Sequence, residues 1–427
     1  MTTVTTLKPT QQIGFLDAFF AGVPLENVSF QLPDGTRWPD DRPRAALILL
    51  KRPEALGLLF SAPDERTLAE AFLRGDVDVV GDLGAAVELA DVLAARGGVK
   101  QELLRSWFQV TRRPASPPPG KGWRRLRDFV AAQHTRARDR QAVSFHYDVS
   151  NEFFQLWLDP RMIYSCAYFE RPEDDLATAQ TAKLEYLCRK LRIQPGQRVL
   201  DIGCGWGGFA LYAARHHHVR VRGITLSERQ AQLATDRVKE AGLESAITIE
   251  LRDIRDLEGA GAFDAIVSVG MSEHVGRKQL PGYFGKVAEL LRPGGAFLNH
   301  AIGHGVIPRR AHGAAFMQEM VFPDSETPPI ATVLAAGEGE GLEVRDVENL
   351  REHYRLTLRH WQARLEAQQP AALGAVDERT FRLWRLYLAS AARGFERGHL
   401  AIYQALFAKP DRRGHAHFPL TRRDWYP

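Results

Sequence analysis

Hydrophobic and polar positions follow two different patterns along the chain, and the change between them marks two regions. The first part combines a short alternating segment, an Asp-Gly turn at Asp34 and Gly35, a continuous apolar segment at 44–50 and two segments with helical spacing. This mixture of short strands and helices predicts a small α+β domain, which we place at residues 1–110.

From residue 141 onward, helical segments alternate with short apolar segments typical of buried strands. The predicted strands are 198–203, 219–225, 246–253, 263–270 and 296–303. Strict strand–helix alternation predicts a Rossmann-like, doubly wound α/β fold with a parallel sheet. Further helices are expected toward the C-terminus, chiefly at 358–369 and 381–407, so this second domain is placed at 141–427.

A basic, proline-rich segment separates the two patterns. Residues 117–120 are Pro-Pro-Pro-Gly, which excludes a helix or a central strand, and we place a linker at 111–140. Residues 112–140 contain nine Lys or Arg against two Asp, which favours an anionic partner such as a membrane surface. Nucleic acid is not expected, because no aromatic-rich recognition motif accompanies the arginines.

Composition narrows the class of protein further. With 427 residues, 44% hydrophobic and 25% charged, the chain suits a two-domain globular protein, and its net charge of +4 is modest. Three cysteines do not make a disulfide framework, and the N-terminus lacks the features of a signal peptide. No apolar segment approaches the roughly 20 residues of a membrane span. We therefore expect a cytoplasmic protein that reaches a bilayer at its inner surface.

The strongest motif is a glycine-rich loop directly after the strand at 198–203. It contains Asp201, Gly203, Gly205 and Gly207, and glycines there let the backbone approach a ligand closely. Such a loop can hold a dinucleotide, whose pyrophosphate would lie at the helix N-terminus. An acid before the first glycine instead favours S-adenosylmethionine, because a carboxylate here helps to hold the methionine ammonium.

Residues after the next two strands complete this predicted cofactor site. No acidic residue ends the second strand, so Thr225 and Gln230 are expected to supply the hydrogen bonds to a ribose. Asp253 and Ile254 follow the third strand, where an adenine would lie. All four could equally be ordinary turn and cap residues.

Two candidate catalytic residues follow from topology. Ligands of an open parallel sheet bind beyond the carboxyl ends of its strands. Glu273 lies just past the fourth strand and His300 near the end of the fifth, so both are expected beside the reacting groups. No metal site is expected, since the adjacent histidines at 216–218 cannot share one helix face.

Several ordered motifs together resemble the cyclopropane fatty acid synthase family, which also includes the mycolic acid methyltransferases. The resemblance covers about residues 140–410, and the matching segments are 145–154, 162–169, 199–210, 223–230, 268–276 and 298–303. It implies an S-adenosylmethionine-dependent transfer of a one-carbon unit to the cis double bond of an unsaturated phospholipid. The expected product is a cyclopropane, with a methyl- or methylene-branched chain as the alternative and a small-molecule methyltransferase as a more distant one.

The resemblance also implies roles for individual residues. A bicarbonate ion would act as the base and be held by Cys166, Glu273, His300 and Tyr354. The same resemblance implies that the residues contacting the cofactor are Tyr164, Ser165, Gly203, Gly205, Thr225 and Gln230. A homodimer and a lipid-binding N-terminal domain are expected on the same basis. The chain departs from the family at Ser272, where an aromatic residue is common, which leaves the product open.

Overall fold

The computed structural model describes residues 9–52, 55, 65–95, 149–307, 320–321 and 325–426. Contacts group the chain into two compact units. One comprises Met1–Ala131, Arg309–Met317 and Asp377–Arg393; the other comprises Ala132–Pro308, Gln318–Val376 and Gly394–Pro427. The linker predicted at 111–140 lies outside the described residues, and the predicted domain boundaries remain predictions.

The first unit contains a four-stranded sheet with neighbouring helices. Its elements are α1 (Pro9–Phe19), β1 (Val28–Gln31), β2 (Arg37–Trp38), β3 (Ala46–Leu50), α2 (Glu65–Leu73), β4 (Val77–Gly81) and α3 (Leu83–Ala95). The strand order is β2-β1-β3-β4, with β1 and β3 parallel and the outer pairs antiparallel. Phe20, Phe30 and Trp38 form its aromatic core, with ring centroids 5.1–5.8 Å apart.

The second unit is built on a seven-stranded sheet of order β10-β11-β9-β8-β5-β6-β7. Its strands are β5 (Arg198–Ile202), β6 (Arg220–Thr225), β7 (Ile247–Leu251), β8 (Phe263–Val269), β9 (Leu291–His304), β10 (Glu343–Asn349) and β11 (Leu400–Ala408). Strands β5 to β9 pair in parallel, whereas β11 is antiparallel to both β9 and β10. This mostly parallel sheet confirms the predicted Rossmann-like α/β fold.

Helices cover the sheet of the second unit. They are α4 (Asn151–Trp157), α5 (Leu176–Leu191), α6 (Gly208–His217), α7 (Glu228–Glu240), α8 (Leu280–Leu290), α9 (Ile330–Gly339), α10 (Arg351–Ala367), α11 (Gln369–Ala375) and α12 (Glu378–Glu396), which crosses the division between the units. Local sequence explains several helix starts: Asp175 caps α5, and Ser227 caps α7 and accepts a hydrogen bond from the Gln230 amide.

One predicted helix was wrong at its C-terminal end. The sequence analysis extended it over 381–407, but α12 ends at Glu396 and Leu400–Ala408 forms β11. Gly398 takes a left-handed conformation (φ +71°), which favours glycine and ends the helix. The apolar segment after Gly398 is long enough to form a buried strand, and this strand pairs with β9 over nine residues. Spacing alone does not separate these two possibilities in a short apolar segment.

Candidate active site

A cavity of about 340 Å³ opens at the carboxyl ends of the parallel strands in the second unit. Its walls come from the loop after β5, the ends of β6 and β8, the 3₁₀ turn at Ile254–Asp256 and the segment before α5. Strands β6 and β8 lie on opposite sides of β5. The strand order therefore reverses at β5: the chain first adds β6 and β7 on one side and then crosses to add β8 on the other. This is where open α/β sheets bind ligands.

The glycine loop forms the floor of the cavity. Gly203, Gly205 and Gly207 all have positive φ angles, of +75°, +54° and +78°. A Cβ added to Gly203 would lie 3.0 Å from Cγ of Met271, so a side chain would crowd the wall. Gly203 and Gly205 line the cavity, whereas Gly207 does not; it is the N-cap of α6, and a Cβ added there would lie 3.3 Å from Cβ of Ala234.

Asp201 supplies a buried carboxyl group at the end of β5. It is 3% exposed, lines the cavity, and its Oδ2 has no hydrogen-bond partner among the described residues. Burial raises the pKa of Asp201 to about 7, and the Lys183 charge opposes this shift. A cationic group of a ligand would compensate this burial, so the residue fits the ammonium of an amino acid.

The predicted ribose and adenine residues also line the cavity. Thr225 Oγ1 donates a hydrogen bond of 2.9 Å to Gln230 Oε1, which fixes the orientation of the amide. Asp253 caps the turn that begins at Ile254 and forms an ion pair with Arg255. Asp253 therefore has the cap role considered in the sequence analysis and is also part of the cavity wall.

Tyr164 and Ser165 lie in the segment between α4 and α5, on the opposite wall. Helix α5 holds Ser165 at two points: Gln180 Nε2 donates to its carbonyl oxygen (2.8 Å) and Lys183 Nζ to its hydroxyl (3.0 Å). Both Tyr164 and Ser165 line the cavity. Nine of the ten predicted cofactor residues thus lie around one cavity, and Gly207 is the exception.

Glu273 lies behind the cavity wall, in the short turn Ser272–His274 after β8. Its Oε1 accepts a 2.8 Å hydrogen bond from the Ile302 amide of β9, and its Oε2 has no partner in the part of the chain that the structure describes. Burial raises the pKa of Glu273 to about 7, while the Ile302 amide opposes the shift. A large share of the molecules therefore carries a neutral carboxyl group at pH 7.

His300 is fully buried on β9 and also lies outside the cavity lining. Its Nδ1 is 3.3 Å from the Gln404 amide nitrogen of the neighbouring strand, and no described residue hydrogen-bonds its Nε2. Burial lowers the pKa of His300 below its ordinary value, so the ring is neutral. The His300 carbonyl accepts from the Gly270 amide (2.8 Å), which ties it to the loop forming the cavity wall.

Cys166 and Tyr354 meet at the start of α10. The carbonyl of Leu350 accepts from the Tyr354 amide at 3.1 Å and lies 3.9 Å from the Cys166 sulfur. The Cys166 side chain has no exposed surface, and burial raises the pKa of its thiol far above the ordinary value. Such a thiol is not a nucleophile, so Cys166 contributes through packing or its backbone.

A continuous row of contacts across the sheet connects three of the four predicted catalytic residues, Glu273, Cys166 and Tyr354, and His300 lies on β9, the strand that contains Ile302. Ile302, whose amide binds Glu273, lies opposite Ile402 of β11. The Ile402 carbonyl accepts from the Leu350 amide (2.8 Å), and Leu350 contacts Cys166 and Tyr354. These contacts link Glu273, Cys166 and Tyr354 through β9 and β11, and none of the four predicted catalytic residues lines the cavity itself.

Buried aromatic rings fill the space between Tyr164 on the cavity wall and Tyr354. Trp361 lies 5.1 Å from Tyr164 and 6.0 Å from Tyr354 between ring centroids, and Trp157 lies 5.6 Å from Tyr164. Trp157 and Trp361 have no exposed surface. The rings between Tyr164 and Tyr354 therefore form a buried aromatic cluster.

Lys183 and Gln180, which hold Ser165, were not predicted from the sequence. Both are fully or almost fully buried on α5, among apolar residues such as Leu184 and Leu187. Polar residues at positions where helical spacing predicts apolar ones were the available signal, because a buried charge requires a specific partner.

Comparison with known proteins assigns the family. The sequence model described as mycolic acid cyclopropane synthetase matches residues 134–405. The chain belongs to this family. It is therefore an S-adenosylmethionine-dependent methyltransferase of the mycolic acid cyclopropane synthetase family, whose members modify fatty acids.

Relatives of the mycolic acid cyclopropane synthetase family match over different shares of the chain. A Pseudomonas putida protein named "Probable fatty acid methyltransferase" is 41% identical over 399 residues, which is 93% of this chain and 95% of that protein. The Escherichia coli (strain K12) cyclopropane-fatty-acyl-phospholipid synthase is 39% identical over 264 residues, or 62% of this chain and 66% of that protein. The solved structure of mycolic acid cyclopropane synthase CmaA1 with SAH and CTAB has a TM-score of 0.60 at 32% identity, covering 63% of this chain and 97% of that one.

In the described part of the chain, none of the helices combines the length and the apolar character needed to cross a membrane.

Proposed function

We propose that the protein transfers a one-carbon unit from S-adenosylmethionine to the cis double bond of unsaturated phospholipid acyl chains and forms cyclopropane fatty acids. The observation that carries this proposal is the row of contacts from Glu273 through Ile302 and Leu350 to Cys166 and Tyr354. Its two ends are next in sequence to residues of the cavity wall, since His274 follows Glu273 and Ser165 precedes Cys166. This row places polar groups beside a buried aromatic cluster, a combination that an ordinary small-molecule methyltransferase does not require.

The cavity fits S-adenosylmethionine, which supplies an electrophilic methyl group. Asp201 would hold the ammonium, the glycine loop would accept the methionine portion, and Thr225 and Gln230 would bind the ribose. An alkene is a weak nucleophile, so the chain must hold the two reactants in line. The buried rings of Trp157 and Trp361 keep water away from the cation that forms on the acyl chain.

Ring closure needs a base, and the buried polar groups behind the cavity fit a bicarbonate ion in that role. Glu273 Oε2 and His300 Nε2 have no partners among the described residues, and both groups carry donor protons when neutral. Neutral donors can hold an anion without adding a second negative charge. Bicarbonate would supply the basic oxygen that removes a proton from the transferred methyl group.

A second product class is a methyl- or methylene-branched chain formed without ring closure. The 41% identical relative named as a fatty acid methyltransferase favours it, and so does Ser272, a small buried residue where the family often has an aromatic ring. A smaller side chain beside Glu273 would change how the acyl cation lies relative to the base.

The experiment that separates these products uses purified protein, S-adenosylmethionine and vesicles containing an oleoyl phospholipid. We expect acyl chains one CH₂ heavier whose NMR spectra show the upfield methylene protons of a cyclopropane. Olefinic methylene signals or a branched methyl group in their place would contradict ring formation and support the second class. Glu273→Gln serves as the comparison, since we expect it to bind cofactor but to make no product.

We propose that the basic segment 112–140, outside the described residues, brings the protein to the anionic inner face of the membrane. Binding to vesicles with anionic lipid should weaken as salt rises, because exposed charges are screened over about 10 Å at 0.1 M salt. Replacing Arg124, Arg125 and Arg127 by Gln should reduce binding at low salt. Equal binding at all salt concentrations would contradict this role. A homodimer remains a prediction.

A further inference from the structure

Lys183 is a buried cation on the wall of the cofactor cavity. Its side chain is 2% exposed, its Nζ donates to Ser165 Oγ at 3.0 Å, and it lines the same cavity as Asp201. No carboxylate oxygen of the described residues lies within 4.0 Å of this nitrogen, although Asp159 and Asp201 act on it electrostatically at longer range. A buried ammonium without a close counter-charge is costly.

Holding Ser165 does not by itself account for a lysine at this position. Gln180, one turn earlier on α5, already binds the Ser165 carbonyl at 2.8 Å. A neutral donor at position 183 would bond the hydroxyl without the desolvation of a charge. Burial lowers the pKa of Lys183 to about 8, with Asp159 and Asp201 opposing the shift, so the group is mostly charged at pH 7.

Lys183 and Asp201 together form a separated pair of opposite charges. Both are buried and both line the cavity, yet they do not form an ion pair with each other. An α-amino acid carries an ammonium and a carboxylate on one carbon. A ligand ending in such a group would place its ammonium at Asp201 and its carboxylate at the lysine, and each charge would then have a partner.

We propose that Lys183 binds the α-carboxylate of the methionine portion of the cofactor, opposite Asp201. This inference rests on the proposed function in that it takes S-adenosylmethionine as the occupant of the cavity. Lys183 is then a specificity-determining residue, because it distinguishes ligands that carry the carboxylate from those that lack it.

The test compares the binding of two ligands by calorimetry. S-adenosylhomocysteine carries both the ammonium and the carboxylate, whereas its decarboxylated analogue keeps the ammonium alone. Lys183→Met should weaken binding of S-adenosylhomocysteine by on the order of 10- to 100-fold, the usual range for a hydrogen bond to a charged group. It should change the affinity for the decarboxylated analogue by less than about threefold.

Two further variants separate charge from structure. Lys183→Gln keeps a donor for Ser165 without the charge and should lose the carboxylate preference as Met does. Lys286→Met is the matched control, since Lys286 lines the same cavity but is ion-paired with Glu289 at 3.0 Å. It should leave the ratio of the two affinities unchanged. Unfolding curves of all variants identify any that fail to fold.

The outcomes distinguish this inference from the proposed function. Equal loss of affinity for both ligands in Lys183→Met, or full retention of the carboxylate preference in Lys183→Gln, would overturn the role of Lys183. In either case the wild-type protein would still bind S-adenosylhomocysteine, and the proposed function would stand. A wild-type protein that binds neither ligand would contradict the proposed function, and this inference with it.

Discussion

The buried carboxyl group of Glu273 leads to a prediction about stability as well as chemistry. Its Oε1 has one backbone donor, the Ile302 amide, and its Oε2 has no partner among the described residues. A carboxylate buried in this way is unfavourable, so the folded protein without ligand retains the proton more tightly than the unfolded chain does. Glu273→Gln removes the ionisation and preserves the shape of the side chain.

The size of the effect follows from the pKa. Burial raises the pKa of Glu273 from 4.5 to about 7. Each tenfold change in the acid constant corresponds to about 1.4 kcal/mol, so full ionisation destabilises the fold by about 3 kcal/mol. With a raised pKa, the stability that the neutral group provides is complete below pH 4.5 and is lost as the pH rises toward 7. The difference in free energy of unfolding between Glu273→Gln and wild type should therefore be about 2–3 kcal/mol more favourable to the Gln variant at pH 8 than at pH 5.

Equilibrium urea unfolding of both proteins without ligand, at several pH values between 5 and 8, measures this difference. The exposed Glu244, replaced by Gln, reports the effect of losing a surface carboxylate. A difference between Glu273→Gln and wild type that stays constant from pH 5 to pH 8 would refute the reasoning. It would mean that Glu273 ionises normally and does not hold a donor proton near neutral pH.

Other consequences of the structure can be tested separately. Gly203→Ala should weaken S-adenosylhomocysteine binding in calorimetry more than about tenfold, because its φ of +75° and the 3.0 Å approach to Met271 disfavour a Cβ; unchanged affinity would contradict this. Lys190→Met should lower the free energy of unfolding by about 1.5–3 kcal/mol, since it removes a buried cation that bonds Asp346 at 3.2 Å and also pairs with Glu348, while Arg422 still pairs with Asp346 at 2.8 Å; a loss below about 0.5 kcal/mol in urea unfolding would contradict it. Cys166 should resist alkylation in the folded protein, as measured by peptide mapping, and rapid modification would show that the thiol is accessible.

Local sequence was sufficient to predict the elements that carry the cofactor site. Strand β5 and the glycine loop form one short stretch, and ligand position in a parallel sheet follows from topology. Asp201, Thr225 and Asp253 therefore lie on the cavity wall as expected. Gly207 does not, because the loop turns away at this residue, which caps α6.

The parts that were missed depend on contacts between distant residues. Strands β10 and β11 are separated in sequence by α10, α11 and α12, yet they pair with each other in the sheet. Nothing in the local sequence pattern of either strand specifies an antiparallel partner. Lys183 lies on α5, and the role of its charge can be inferred only from the folded structure, where it bonds Ser165 and interacts electrostatically with Asp201.

The same limit applies to the predicted catalytic residues. Topology and family resemblance indicated Glu273, His300, Cys166 and Tyr354. The link from Glu273 to Cys166 and Tyr354 by way of Leu350 was visible only once the sheet had formed.

Lipid analysis of a bacterial host that lacks such an enzyme tests the central claim most directly. Phospholipids are extracted from cells with the wild-type gene, with the Glu273→Gln variant and with no gene, and their acyl chains are compared by mass spectrometry with fragmentation. We expect the wild-type gene alone to convert monounsaturated chains into species one CH₂ heavier, with the added carbon at the former double bond. Unaltered acyl chains in cells that accumulate folded, S-adenosylhomocysteine-binding protein would contradict the account.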